Sequence, residues 1–135
     1  MQMQTVRRKL ISEGGEYAAA RLVRYAEGEP GDPATWQGVA QQMGVGVHLY
    51  EAPGAGRGEF IAPPPDGEPA RIAINTAYPP REVAAAYIHE LSEVLLRQMQ
   101  PPLFPSEADC GRYEGEPGDV LHLASRKAER VILGS

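Results

Sequence analysis

Between Pro80 and Met99 lies the segment around which the rest of the chain has to be arranged. Val83, Tyr87, Leu91 and Val94 recur at helical spacing, and Ile88, Leu91 and Leu95 form a second, overlapping row. Pro79–Pro80 suits the first turn of a helix, and Glu82 in that turn complements the helix dipole. A helix that is apolar over most of its circumference must be enclosed by other elements. Yet the same helix carries His89, Glu90 and Glu93 on or beside its buried surface. Ionisable groups in such a place need partners or a metal ion.

These three residues spell H-E-x-x-E. Positions four apart share a helix face, so His89 and Glu93 can reach a common centre, with Glu90 one step on and able to flank it. The pattern is a variant of H-E-x-x-H, in which two helical ligands hold zinc and the intervening glutamate acts as base. Zinc hydrolases commonly use three protein ligands and leave the fourth position for water. One further histidine would complete a set of two imidazoles and one carboxylate. The chain has three histidines, His48, His89 and His122. His122 stands near the start of a downstream helix and is the candidate third ligand; Asp119 is the alternative, more simply read as that helix's cap. Zn²⁺ held by His89, Glu93 and His122 would acidify water toward neutral pH, and Glu90 would serve as general base without touching the metal. The competing explanation of His89, Glu90 and Glu93 is a solvated helix face or a set of internally paired core residues.

Other candidates are weaker. His48 alternates out of the inner face of its strand, which points to exposure. Glu129 stands two turns beyond His122, too far along the helix to join the same centre easily. Arg126 and Arg130 follow His122 on roughly one face and could pair with Glu93 or bind an acidic group; Arg126 and Tyr113 are candidate oxyanion or substrate contacts. Cys110 is the single cysteine, which excludes an internal disulfide and a cysteine-rich zinc site.

The remaining segments predict an α+β fold. A helix is expected over Thr5–Ala26, with Gly14–Gly15 interrupting it so that residues 1–15 form a loose arm, a separate turn or a helix of their own. Asp32 caps a second helix with Pro33 in its first turn; it carries Trp36, Val39, Ala40 and Met43 and stops at Gly44. Val45, Val47 and Leu49 alternate with Gly46, His48 and Tyr50 as a half-buried strand. Gly58–Ala62 and Ala70–Asn75 are two more strands joined by a turn over Pro63–Glu68, giving a small three-stranded, mostly antiparallel sheet against the central helix. A last helix, Val120–Leu133, has Leu121, Ala124, Ala128, Val131 and Ile132 as inner residues.

A length of 135 residues suits one domain, 1–135, with one modest core. The net charge of −5 argues against binding nucleic acid through phosphate neutralisation. No apolar run reaches membrane-span length, and MQMQTVRRKL has basic residues with no apolar stretch behind them, so a cytoplasmic protein is the expectation.

The order of motifs resembles the ImmA/IrrE family of zinc metallopeptidases. The resemblance rests on W-Q-G-V-A-Q-Q-M-G-V-G-V-H-L from Trp36, R-I-A-I-N from Arg71 and P-P-R-E-V-A-A-A-Y-I-H-E-L-S-E-V-L-L from Pro79. It covers roughly residues 16–135, where the later helix reads H-L-A-S-R-K-A-E-R-V-I-L-G-S. The departures are specific. Glu93 stands where the family has its second motif histidine. His122 falls at or next to the family's third-ligand glutamate, and Gly134–Ser135 replace its terminal Met-Pro. Two exchanged ligands leave the inventory of donors unchanged. The resemblance implies a zincin-like fold, one Zn²⁺ ion, and hydrolysis of a peptide bond in a regulatory protein such as a helix-turn-helix repressor. It also implies a bare peptidase core, without the added DNA-binding or sensor domains of some members. The alternative is an inactive member of the same fold that acts as a partner-binding or regulatory module.

Overall fold

The computed structural model describes residues 3–61, 70–98 and 120–134. Within them the order is α1 (Met3–Tyr25), α2 (Pro33–Met43), β1 (Gly46–Tyr50), β2 (Gly58–Ile61), β3 (Arg71–Asn75), α3 (Pro80–Gln98) and α4 (Val120–Leu133). Among the described residues the fold is α+β, with four helices and a three-stranded sheet that α2 and α3 pack against. The expected turn at Pro63–Glu68, the cap at Asp119 and the loop carrying Cys110 and Tyr113 lie outside the described residues.

The central helix is more deeply enclosed than its pattern requires. Every residue from Val83 to Ser92 is buried, including His89, Glu90 and Ser92. Ile88, Leu91 and Leu96 join Leu22, Trp36, Ile72 and Ile74 among the largest fully buried side chains. Each such side chain contributes on the order of 1.5–3 kcal/mol of transfer free energy. Ser92 answers its own burial by donating its hydroxyl to the Ile88 carbonyl at 2.6 Å.

α2 ends where its residues say it should. Asp32 accepts from the Ala34 amide at 3.0 Å. At the other end Gly44 adopts φ +73°. The Gly44 amide then reaches the Gln41 carbonyl at 3.1 Å and the Val45 amide the Ala40 carbonyl at 2.9 Å, the Schellman closure that a left-handed residue makes possible.

The sheet is mixed, which corrects the mostly antiparallel expectation. Its order is β1-β3-β2, with β1 parallel to β3 and β2 antiparallel to β3. Hydrophobic alternation decides which face of a strand turns inward, but not which strand lies beside it. β3 occupies the middle, and Ile72, Ala73, Ile74 and Asn75 are all buried there. β1 is an edge, so Leu49 is 48% exposed instead of joining the inner face with Val45. His48 is exposed, as its alternation indicated.

A second correction concerns α1. Gly14–Gly15 does not break the helix; α1 runs unbroken through both, and both are buried. A Cβ on Gly15 would lie 2.3 Å from Lys127 Cγ and 2.9 Å from the Ala124 carbonyl oxygen. The glycine is the notch that lets α1 and α4 cross closely. On α4, Leu121, Ala124 and Ala128 are buried as expected, but Val131 is 49% exposed. Among the described residues no helix is long and apolar enough to cross a membrane.

Candidate metal centre

α3 and α4 bring the two remote parts of the expected ligand set together. His89 is held from behind: its Nδ1–H donates to Glu129 Oε2 at 2.6 Å. With that nitrogen committed, Nε2 faces the centre, 3.2 Å from Glu93 Oε2 and 3.1 Å from His122 Nδ1. The two imidazoles meet edge to face, with ring centroids 4.6 Å apart. One donor atom from each of His89, Glu93 and His122 lies within 4.8 Å of the others, so the group could hold a metal ion. A tetrahedron built on zinc bonds of ~2.0–2.1 Å has edges of ~3.4 Å, close to the two shorter separations. The side chains are only 5% exposed at His89 and 16% at Glu93, so a cation here would be largely shielded from bulk water.

Glu129 is the residue whose role changes most. It was expected to lie too far along the helix to take part, and it is not in the ligand group. It stands instead behind His89 as a carboxylate on Nδ1, an arrangement that in metal sites fixes the tautomer and ring orientation of a histidine and raises its basicity. It lies seven residues after His122, close to two full turns, and so on the same face of α4. Its other oxygen, Oε1, pairs with Arg57 at 3.0 Å.

Arg57 and Asn75 also escaped the sequence reading. Asn75 is fully buried and bonds to the β1–β2 loop with both ends of its amide. Its Oδ1 accepts from the Ala52 and Ala77 amides at 3.0 Å each, and its Nδ2 donates to the carbonyls of Ala52 at 2.8 Å and Gly56 at 3.0 Å. Its own amide donates to the Arg57 carbonyl at 2.8 Å. The asparagine closing R-I-A-I-N therefore shapes the loop that delivers Arg57 to Glu129. Its place at the end of a buried strand was the one available signal; nothing in the spacing marked Arg57.

The charges are sharply divided. Burial opposes a charge on His89, but its hydrogen bonds to Glu129 and Glu93 overcome that and push its pKa up to about 9. Burial likewise opposes charge on Glu93 and Glu129, yet the His89 hydrogen bond keeps both below the usual carboxylate range, with Arg57 adding to the effect at Glu129. Glu90 goes the other way. Burial and the Glu93 carboxylate beside it push its pKa up to about 8, and its Oε1 is buried without a hydrogen-bond partner. Two carboxylates three residues apart have been driven in opposite directions, the pattern that separates acid–base roles. The backbone at Gly58 runs close over this group: a Cβ there would lie 3.5 Å from Glu90 Cγ and 2.7 Å from the Ala73 carbonyl oxygen.

Arg126 is exposed, and its Nε donates to His122 Nε2 at 3.2 Å. Glu93 pairs with His89, rather than with Arg126 or Arg130. His48 lies apart on the sheet, stacked near Tyr50 with centroids 6.3 Å apart. Comparison with protein-family models, curated proteins and solved structures returned no match.

Proposed function

We propose that this protein is a zinc-dependent hydrolase of peptide bonds. The observation that carries the reading is the convergence of His89, Glu93 and His122 from two helices beside the buried carboxyl of Glu90, whose Oε1 has no hydrogen-bond partner. The donor set fits Zn²⁺: two imidazoles and one carboxylate, with Glu129 behind His89 as the orienting group. When bound, the cation would polarise the substrate carbonyl, acidify water and favour the ionised form of Glu90. On the protein's own charges Glu90 holds its proton to about pH 8. Ionised, it takes a proton from the attacking water and returns it to the leaving amine.

A peptide substrate is supported by β2. Among the described residues this strand pairs with β3 alone, and an extended chain added along its other edge would bond backbone to backbone. Gly58, at the start of β2, lies close over Glu90, so a chain on that edge would pass near the candidate base. The ImmA/IrrE resemblance adds the identity of the substrate to the proposal, namely a regulatory protein of the helix-turn-helix repressor type.

Metal analysis of protein purified without added metal should find about one zinc per chain, and His122→Ala should lower it. Glu90→Gln should keep zinc but lose cleavage of a substrate protein. Equal cleavage by wild type and Glu90→Gln would end the hydrolase reading. Zinc retained with no cleavage by either would favour the regulatory, partner-binding alternative.

A further inference from the structure

Beside the histidine cluster, toward the N-terminal end of α3, lies a cavity of about 530 Å³. Its wall includes Arg57, Arg81, Arg126 and Arg130, against Glu82 and Glu129. The guanidinium groups come from three separate segments: the loop before β2, the first turn of α3, and α4. The chain as a whole is acidic, with a formal net charge of −5, so this gathering of cations runs against its general field.

The structural contacts of these arginines leave most of their donors over. Arg57 reaches Glu129 through Nη2. Arg81 Nη2 donates to the Leu133 carbonyl at 2.6 Å, closing the end of α4. Arg126 uses Nε toward His122. Arg130 is exposed one turn beyond Arg126 on α4. A guanidinium has five N–H donors in a planar fork that matches a carboxylate. Arg57 immediately precedes Gly58, the first residue of β2, so part of the cavity wall adjoins the start of the strand offered to a peptide. Glu129 belongs to both places: it orients His89 and lines the cavity.

The geometry points to a recognition pocket for a carboxylate of the bound peptide, from an acidic side chain or the free C-terminus, adjoining the site of cleavage. This inference rests on the peptide-binding reading above and names the preference that such a site would have.

The test is binding by the full chain carrying Glu90→Gln, with and without zinc, to fluorescent degenerate peptide libraries. One pair of libraries differs by a central Glu or Gln; a second pair differs by a free or amidated C-terminus. The carboxylate-bearing member of at least one pair should bind roughly tenfold more tightly, the order expected of one charge-assisted hydrogen bond. The pair that shows the preference identifies its source. The preference should shrink with added salt and be lost in Arg130→Gln, whose exposed position leaves folding intact. Equal binding within both pairs, or a preference unchanged in both Arg130→Gln and Arg81→Gln, would overturn the inference. So would an absence of binding by every library. Cleavage of neutral and acidic peptides alike by wild type would remove the pocket and leave the hydrolase standing. Charge-selective binding with no cleavage would do the reverse.

Discussion

At the scale of single residues, His89 is used at both ends, and its two partners have different consequences. Glu129 fixes the ring from Nδ1, so Glu129→Gln should fold normally yet weaken zinc binding by about 10–100-fold, read by competition with a chromophoric chelator. Arg126 acts in the opposite sense. A His122 that coordinates through Nδ1 keeps its proton on Nε2, where it opposes the Arg126 Nε–H. Arg126→Ala should therefore tighten zinc binding by roughly 2–10-fold, the equivalent of one ordinary hydrogen bond. A weaker site in this variant would assign Arg126 a supporting role.

The same residues set a pH dependence for protein kept in chelator. Glu90 is raised from 4.5 to about 8 and His89 from 6.5 to about 9, so the folded state holds protons that the unfolded state releases. Their contributions are fully present below the unfolded values and are lost as pH rises through the folded ones. Glu93 and Glu129 are depressed, and their contribution is lost as pH falls below the carboxylate range. Melting temperature in chelator should accordingly fall between about pH 5 and 9, and Glu90→Gln should flatten the lower part of that fall. A melting temperature that rises over this range would contradict the charge assignment.

Among the elements, two junctions support the site from a distance. The α1–α4 crossing depends on Gly15, where an added Cβ meets the Ala124 backbone as well as the Lys127 side chain. Gly15→Ala should cost about 1–3 kcal/mol in denaturant unfolding, because the helices must separate to admit it. The β1–β2 loop depends on Asn75. Asn75→Ala removes the partners of Ala52, Gly56 and Ala77 backbone groups, and each one left buried costs about 1–3 kcal/mol. It should also loosen Arg57 from Glu129, lowering zinc affinity in a variant with no altered ligand. These junctions show what local pattern can and cannot reveal. α2 was legible because its caps are local chemistry, and α3 because its apolar rows are dense. The break expected at Gly14–Gly15 came from intrinsic propensity, which the close packing of α4 overrides.

For the molecule as a whole, the candidate site was legible in so far as it lies on helical spacing. His89 and Glu93 share a face of α3 by arithmetic, and His122 was marked by donor chemistry. The strand order, Arg57 and the part played by Glu129 were not legible, because each depends on which distant segments become neighbours. β3 between β1 and β2 is such a case: alternation settles the faces of a strand but not its neighbours. The central claim is likewise one of convergence, that α3 and α4 place three donors around a single cation. The most direct measurement is an anomalous difference map at the zinc absorption edge, from crystals of protein purified without added metal. One peak is expected among His89 Nε2, Glu93 Oε2 and His122 Nδ1; a map with no peak there, or with zinc bound only elsewhere, would contradict that convergence.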